Sequence, residues 1–445
     1  MELRITGGLP LKGEVTAPAD KSITHRALIL SALADGDGRV TAPGAGVDNA
    51  STASVLRGLG VSVEGEAGAW LVRGGGPAGL RPPEAPLDCG NSGTTIRLMT
   101  GVLAGAGIEA ELLGDASLKE RPMGRVCAPL RELGAKVAGR RQDSRELPPV
   151  RVGRGAFQGG AARLSVASAQ VKSALLLAGV ASGRAVEVAE PALSRDHSER
   201  MLRAMGASIR TSAGAQAFTA ALAAGTRLTA RDWQVPGDFS SAAFLLAAGL
   251  IVPGSEVTVH DVGVNATRTG LLEICEELGA KVQVWRWREE GGEPVASLTS
   301  RASALCAVQP GEQPTVVGGD TIPRVIDELV VLAPLAAVAT GRVEVRDARE
   351  LRVKESDRVA ATVALLAAFG VHAEESPDGY VVHGPHSFKP ARVDVRGDHR
   401  IAMTAAVIAL AAPGDSTLTG CESIAISYPG FVEALTQLGA RIRVA

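Results

Sequence analysis

A chain of 445 residues, 46% of them hydrophobic, can bury more than one core, which excludes a disordered polypeptide and favours two globular domains. Its 46 Lys and Arg against 48 Asp and Glu leave a formal charge of −2, so nucleic-acid binding is not expected and any anion site must be a local concentration of charge. The five cysteines, Cys89, Cys127, Cys275, Cys306 and Cys421, form no CxxC pair and do not cluster with the seven histidines, which argues against a disulfide framework or a zinc site.

The chain opens on MELRITGGLPLKGEV, an alternation of apolar and polar residues that predicts a strand and lacks the apolar core of a signal peptide. No later segment is long and apolar enough to span a bilayer, so a soluble, cytoplasmic protein without a membrane partner is expected. Two phrases then alternate six times. The first opens polar and turns into an almost uncharged run: DKSITHRALIL from Asp20, NSGTTIRLMTG from Asn91, ASAQVKSALLLAG from Ala167, GDFSSAAFLLAAG from Gly237, DELVVLAPLAA from Asp327 and GDHRIAMTAAVIAL from Gly397. Helices apolar on nearly every side are buried all round, so these six are predicted to be internal.

The second phrase is a helix end followed by a strand: LRGLGVSVE from Leu56, LRELGAKVA from Leu130, LRAMGASIR from Leu202, CEELGAKVQV from Cys275, LLAAFGVHAE from Leu365 and LTQLGARIRV from Leu435. Its glycines, Gly60, Gly134, Gly206, Gly279, Gly370 and Gly439, recur at intervals of 69 to 91 residues. Glycine after an apolar helical run marks the left-handed turn that stops a helix. Each unit therefore reads helix, strand, helix, strand, with a further strand in places. Neither a doubly wound nucleotide fold nor a TIM barrel repeats in this way. Junctions at Ala19-Asp20 and Pro236-Gly237-Asp238 divide the pattern three and three, into residues 20–237 and 238–445, the second completed by residues 1–19.

Charge gathers at the starts of the internal helices: Lys21, Ser22 and Arg26; Asn91, Ser92 and Thr94; Ser168, Gln170 and Lys172; Asp398, His399 and Arg400. Several helix starts aimed at one place would bind anions. Capping accounts for the Ser, Thr, Asn and Asp residues, but not for Lys21, Lys172 and Arg400, whose charges oppose the helix dipole. The loops KERPMG at Lys119, SRDHSERML at Ser194 and RVKESDR at Arg352 recur at matching places, and Arg and Lys in them suit phosphate and carboxylate groups.

DKSITHR, GNSGTTIR, KERPMG, SAQVKSALL, SRDH, RVKESDR and GDHRIAM, in this order over nearly the whole chain, resemble the EPSP synthases, the 3-phosphoshikimate 1-carboxyvinyltransferases. The resemblance implies an α/β fold, a two-domain inside-out α/β barrel in which each domain holds three βαβαββ repeats with helices inside and sheets outside, the domains facing each other across a cleft. It implies transfer of the enolpyruvyl group of phosphoenolpyruvate to the 5-hydroxyl of shikimate 3-phosphate by addition and elimination, on the way to chorismate and the aromatic amino acids. Residues 20–237 would be the shikimate-3-phosphate-binding domain. By this similarity shikimate 3-phosphate would meet Lys21, Ser22, Arg26, Ser168, Ala169, Gln170, Arg195, Asp327 and Lys354. Phosphoenolpyruvate would meet Lys21, Gly93, Arg121, Gln170, Arg358 and Arg400, with Asp327, Glu355 and Lys21 catalytic. No metal or other cofactor is expected, since Arg and Lys neutralise the phosphates, and a monomer acting on two small molecules is expected.

Capping of the helix DELVVLAPLAA competes as a role for Asp327, and a surface ion pair as one for Glu355. His25, His197 and His399 read as structural donors rather than bases. Ala169 stands where the best-known branch of the family has a second serine, and Ile426 where it has a lysine. Two rivals remain on sequence alone: a UDP-N-acetylglucosamine enolpyruvyl transferase, which usually carries a cysteine in the loop that is GDASLKERPM here, and a non-catalytic sensor of anionic metabolites.

Overall fold

In a computed structural model, which describes residues 1–66, 68–214, 217–307, 314–395 and 397–445, all six apolar phrases are helices. They span Lys21–Ala32, Gly93–Ala106, Ala169–Ser182, Phe239–Ile251, Leu329–Val338 and His399–Ala411. Their lack of a polar stripe has the expected result, and Phe239–Ile251 is buried at every residue. Outer helices alternate with them at Val47–Gly58, Gly124–Glu132, His197–Ala204, Gly270–Glu277, Arg358–Ala368 and Phe431–Gln437. The six glycines that follow these have φ between +71° and +95°, a region costly for any side chain.

The sheets share one grammar. Leu87–Asp88 runs parallel to Ala110–Leu113, which is antiparallel to Arg145–Val152, itself antiparallel to Val137–Gln142. The same parallel, antiparallel, antiparallel order joins Gly160–Arg163, Val186–Glu190, Phe218–Leu222 and Ile209–Ala213. One sheet borrows a strand from the chain start. Glu2–Gly7 lies between Gly414–Thr419 and Arg441–Val444, with Leu3 opposite both Leu418 and Val444. Lys12–Thr16 likewise pairs in parallel with Glu256–Gly263. This is an inside-out α/β fold, with helices within and sheets without.

Two compact units divide the chain. One holds Met1–Pro18, Pro236–Glu289 and Pro294–Ala445; the other holds Ala19–Val235 and Glu290–Glu293. Each has its own apolar core. The grouping of Glu290–Glu293 with Ala19–Val235 had no sequence signal, and side-chain bonds account for it. His197 Nδ1 lies 2.8 Å from Glu293 Oε1, and Arg200 donates to the Gly292 carbonyl at 3.2 Å.

Within Ala19–Val235, small residues set the approach of two inner helices. A Cβ at Gly101 would sit 2.1 Å from the Ala174 carbonyl oxygen, and one at Gly105 would sit 2.3 Å from that of Ala178. The helices Gly93–Ala106 and Ala169–Ser182 therefore touch backbone to backbone. Gly101→Ala is expected to destabilise this unit by ~1–3 kcal/mol, the usual cost of overpacking, seen as a lowered denaturation midpoint with native secondary structure retained.

Candidate active site

The residues singled out in the sequence fall into two clusters, one in each unit. In Ala19–Val235, Lys21 is the first residue of its helix, and Asp20 caps that helix by accepting from the Ile23 N–H at 2.8 Å. Lys21 Nζ pairs with Asp48 Oδ2 at 2.5 Å, and Asn49 Nδ2 donates to the Lys21 carbonyl at 3.0 Å. Burial pushes the Asp48 carboxyl up, but the charge and hydrogen bond of Lys21, helped by Arg121, hold it below the usual carboxylate range. Asp48 and Asn49 went unnoticed in the sequence because polar residues in a first helical turn look like dipole complements.

Ser92 caps the next inner helix through the Thr95 N–H at 3.1 Å, leaving Gly93 at its first turn. A Cβ at Gly93 would lie 2.7 Å from Arg97 Nη1 and 3.3 Å from Arg121 Nη1, so two guanidinium groups stand over that turn. Arg121 donates to Asn91 Oδ1 at 2.9 Å. Arg97 donates to Gln170 Oε1 at 2.8 Å while Gln170 Nε2 donates to Thr94 Oγ1 at 3.0 Å. Gln170 is thus clamped between two residues of one helix. Arg97 lies inside a recognised motif, yet nothing in the sequence revealed that it orients Gln170.

Ser168 caps the helix Ala169–Ser182, and both Ser168 and Ala169 are half-buried at its start. Arg26 is buried beneath that surface. Its Nε donates to Ser198 Oγ at 2.8 Å, Nη2 to Ser173 Oγ at 2.8 Å and Nη1 to the Ser22 carbonyl at 2.9 Å. With neutral oxygens as these partners, burial pulls its guanidinium down to about 10. Arg195 lies half-buried in the loop just before helix His197–Ala204.

Two titratable residues have other roles than a surface anion site. Lys172 turns inward, 1% exposed, to Glu190 at 2.7 Å and Glu199 at 2.8 Å, so its conflict with the helix dipole is relieved by buried carboxylates. His25 is fully buried with Nδ1 2.7 Å from Thr52 Oγ1, and burial pulls its imidazole down to about 3. It is neutral when folded and protonates near 6.5 when unfolded, so the unfolded chain binds the extra proton between these values. Its contribution to stability is complete above pH 6.5 and is lost as pH falls toward 3. Between pH 7 and pH 4.5 this amounts to about 3 kcal/mol. Thermal melts at both values are expected to show a smaller acid loss in His25→Asn than in the parent.

In the other unit, Asp327, Lys354, Glu355, Arg358 and Arg400 come together. Asp327 Oδ1 lies 3.6 Å from Arg358 Nη1 and 3.8 Å from Lys354 Nζ; Oδ2 lies 3.8 Å from Arg400 Nη2. Asp327 does not cap the following helix, which begins at Leu329 without a side-chain cap. Glu355 is no surface pair, since its partner Arg358, at 2.6 Å, has a side chain only 1% exposed. Arg358 also donates from Nε to Asp398 Oδ2 at 2.8 Å. Burial pulls the Arg358 guanidinium down, but Glu355 and Asp398 raise it well above its ordinary value. Arg400 donates to the Asp327 carbonyl at 3.0 Å, while its own N–H bonds Asp398 Oδ1 at 2.9 Å. Three cations surround one carboxylate, an arrangement suited to holding an anion beside a proton acceptor.

Ile426 is half-buried in the short helix Ile424–Ser427. Cys89 is buried, and burial, with Asp88, pushes its thiol far above the range of a reactive thiolate.

The family model for EPSP synthase (3-phosphoshikimate 1-carboxyvinyltransferase) matches residues 5–435. The 3-phosphoshikimate 1-carboxyvinyltransferase of Desulforudis audaxviator is 46% identical over 439 residues, 98% of this chain and 99% of that one. That of a Synechococcus species (strain JA-3-3Ab) is 48% identical over 430 residues, 96% of this chain and 94% of that one. A solved EPSP synthase from Acinetobacter baumannii superposes with a TM-score of 0.85 at 36% identity, covering 100% of this chain and 99% of that one. The enolpyruvyl transferase NikO from Streptomyces tendae, at 19% identity and a TM-score of 0.74 over 99% of this chain and 98% of that one, shares the fold.

Proposed function

Because the chain belongs to the EPSP synthase family, we propose that its charged residues divide the family reaction between holding anions and moving protons. That reaction transfers the enolpyruvyl group of phosphoenolpyruvate to shikimate 3-phosphate in the shikimate pathway. On this reading shikimate 3-phosphate is held by Lys21, Ser22, Arg26, Ser168, the Ala169 backbone, Gln170 and Arg195, together with Asp327 and Lys354. Phosphoenolpyruvate is held by Lys21, the Gly93 turn, Arg121, Gln170, Arg358 and Arg400. Arg26 acts from below, by its bond to the Ser22 carbonyl. Arg358 acts largely by fixing Asp327 and Glu355.

Asp327 takes the proton of the 5-hydroxyl as that oxygen bonds to C2 of phosphoenolpyruvate, while the methylene carbon gains a proton from Lys21 or Glu355. The tetrahedral adduct then expels phosphate and returns a methyl proton, restoring the double bond. Guanidinium and ammonium groups stabilise the charge carried through the adduct and hold together two anions that repel each other in water. The observation that carries this reading is the Asp327 carboxylate set 3.6 to 3.8 Å from Arg358, Lys354 and Arg400, near enough to be oriented by all three. The protein is proposed to work as a monomer in the cytoplasm.

A coupled assay of phosphate release tests the activity. Release is expected only when both shikimate 3-phosphate and phosphoenolpyruvate are supplied. Binding of both without release would make the protein a metabolite sensor, and release with UDP-N-acetylglucosamine in place of shikimate 3-phosphate would assign it to the other transferase.

A further inference from the structure

Behind the loop that carries Arg195 lies a charge cluster with no part in the chemistry above. Lys172 Nζ, on the helix Ala169–Ser182, lies 2.7 Å from Glu190 Oε1 and 2.8 Å from Glu199 Oε1. Glu190 ends the strand Val186–Glu190, and Glu199 lies in the helix His197–Ala204, so one ammonium group ties together three elements. All three side chains are at most 3% exposed. Burial raises the Glu199 carboxyl, and although burial pulls Lys172 down, Glu199 and Glu190 more than offset this. Such a group is a poor source of stability, because desolvation of ions this deep cancels most of their attraction. What it supplies is a fixed geometry.

The geometry is delivered to one residue. Glu190 Oε1 accepts from the Ser194 N–H at 3.0 Å, and Oε2 accepts from Ser194 Oγ at 2.6 Å. Ser194 is therefore fixed at backbone and side chain together, and the next residue is Arg195. On the far side Asp196 Oδ2 accepts from Arg200 Nε at 2.9 Å. Both neighbours of Arg195 are thus tied down, and its guanidinium leaves the backbone from a set place. We propose that Glu190, held by Lys172, is a positioning residue that aims Arg195 at the anionic group of shikimate 3-phosphate. This rests on the reading of Arg195 as a ligand of that substrate.

The test is a double-mutant cycle in the full-length protein, with KM measured for each substrate. Glu190→Gln keeps the shape of the side chain but loses its charge and places an amide against Lys172 or Ser194. It is expected to raise KM for shikimate 3-phosphate about tenfold, the scale of a small misplacement, with kcat and KM for phosphoenolpyruvate changed less than about threefold. Combined with Arg195→Ala, it is expected to add nothing beyond Arg195→Ala alone. If the two effects multiply in full, or if Glu190→Gln leaves KM for shikimate 3-phosphate unchanged, the positioning role is wrong. If Arg195→Ala itself leaves that KM unchanged, Arg195 is not a ligand, and the proposal falls with the reading beneath it. Should Glu190→Gln not fold, Ser194→Ala removes one of the two bonds to Glu190 and leaves the ion cluster whole. The same cycle then applies, with an expected rise of about threefold, and independence from Arg195 again counts against the role.

Discussion

Asp327→Asn is expected to lower kcat at least ~10²-fold while KM for each substrate moves far less, the pattern of a lost general base. The amide has nearly the shape of the carboxylate and its oxygen can still accept on the side of Lys354 and Arg358, though its nitrogen cannot accept from Arg400, so most of the anion binding survives. It cannot take a proton from the attacking hydroxyl. Asp327→Ala should lose turnover by at least as much, and beyond the charge lost in both variants it also removes the polar group that stands between three cations within 3.8 Å of it. Steady-state kinetics with each substrate varied, together with binding of shikimate 3-phosphate followed by calorimetry, separates the two effects. Near-normal kcat in Asp327→Asn would remove this residue from proton transfer.

Arg358→Ala is expected to cost ~3–5 kcal/mol of stability, a penalty of the size found when one member of a buried ion pair is deleted. Asp398 explains the size. Its side chain is 1% exposed, and although burial pushes its carboxyl up, Arg358 holds it below the usual range by charge and hydrogen bonds. Without the guanidinium, Asp398 and Glu355 lose the cation bonded to both, and Asp398, held then by the Ser356 hydroxyl and the Arg400 N–H, must carry its charge in the interior or neutralise it by taking up a proton. Arg358→Lys is expected to recover only part of the loss, because a point charge cannot serve Asp398 and Glu355 in one plane. Equilibrium unfolding in urea measures both variants. A loss below about 1 kcal/mol for Arg358→Ala would place the pair among those that contribute little.

The helices and their ends were readable in the sequence because their cause is local. A run such as FSSAAFLLAAGLI has no polar stripe to present to water, and a glycine such as Gly279 supplies a left-handed turn at no steric cost. Charged loops were readable too, since their recurrence at matching repeat positions sets them apart from ordinary surface turns. Side-chain pairing was not. Asp48 with Lys21, Arg97 with Gln170, and Lys172 with Glu190 each join residues 18 to 73 positions apart, and only packing decides which of many polar side chains meet. Lys172 shows the difference most plainly. Its place at a helix start sets its charge against the dipole, and the partners that resolve this conflict, Glu190 and Glu199, lie in the interior.

The strand Glu2–Gly7 closes its sheet only with strands that end at Thr419 and Val444. This strand must therefore wait for segments made more than four hundred residues later. Among the described residues the unit of Ala19–Val235 reaches no further along the sequence than Glu293, so synthesis can complete it before Gly414–Thr419 and Arg441–Val444 are made. Joining Glu2–Gly7 to them across more than four hundred residues carries a large entropic cost for a free coil, but a finished middle shortens the effective loop. Nested order of this kind makes the unit that holds Glu2–Gly7 the later one to assemble, and removing Arg441–Val444 takes away one of the two partners of that strand.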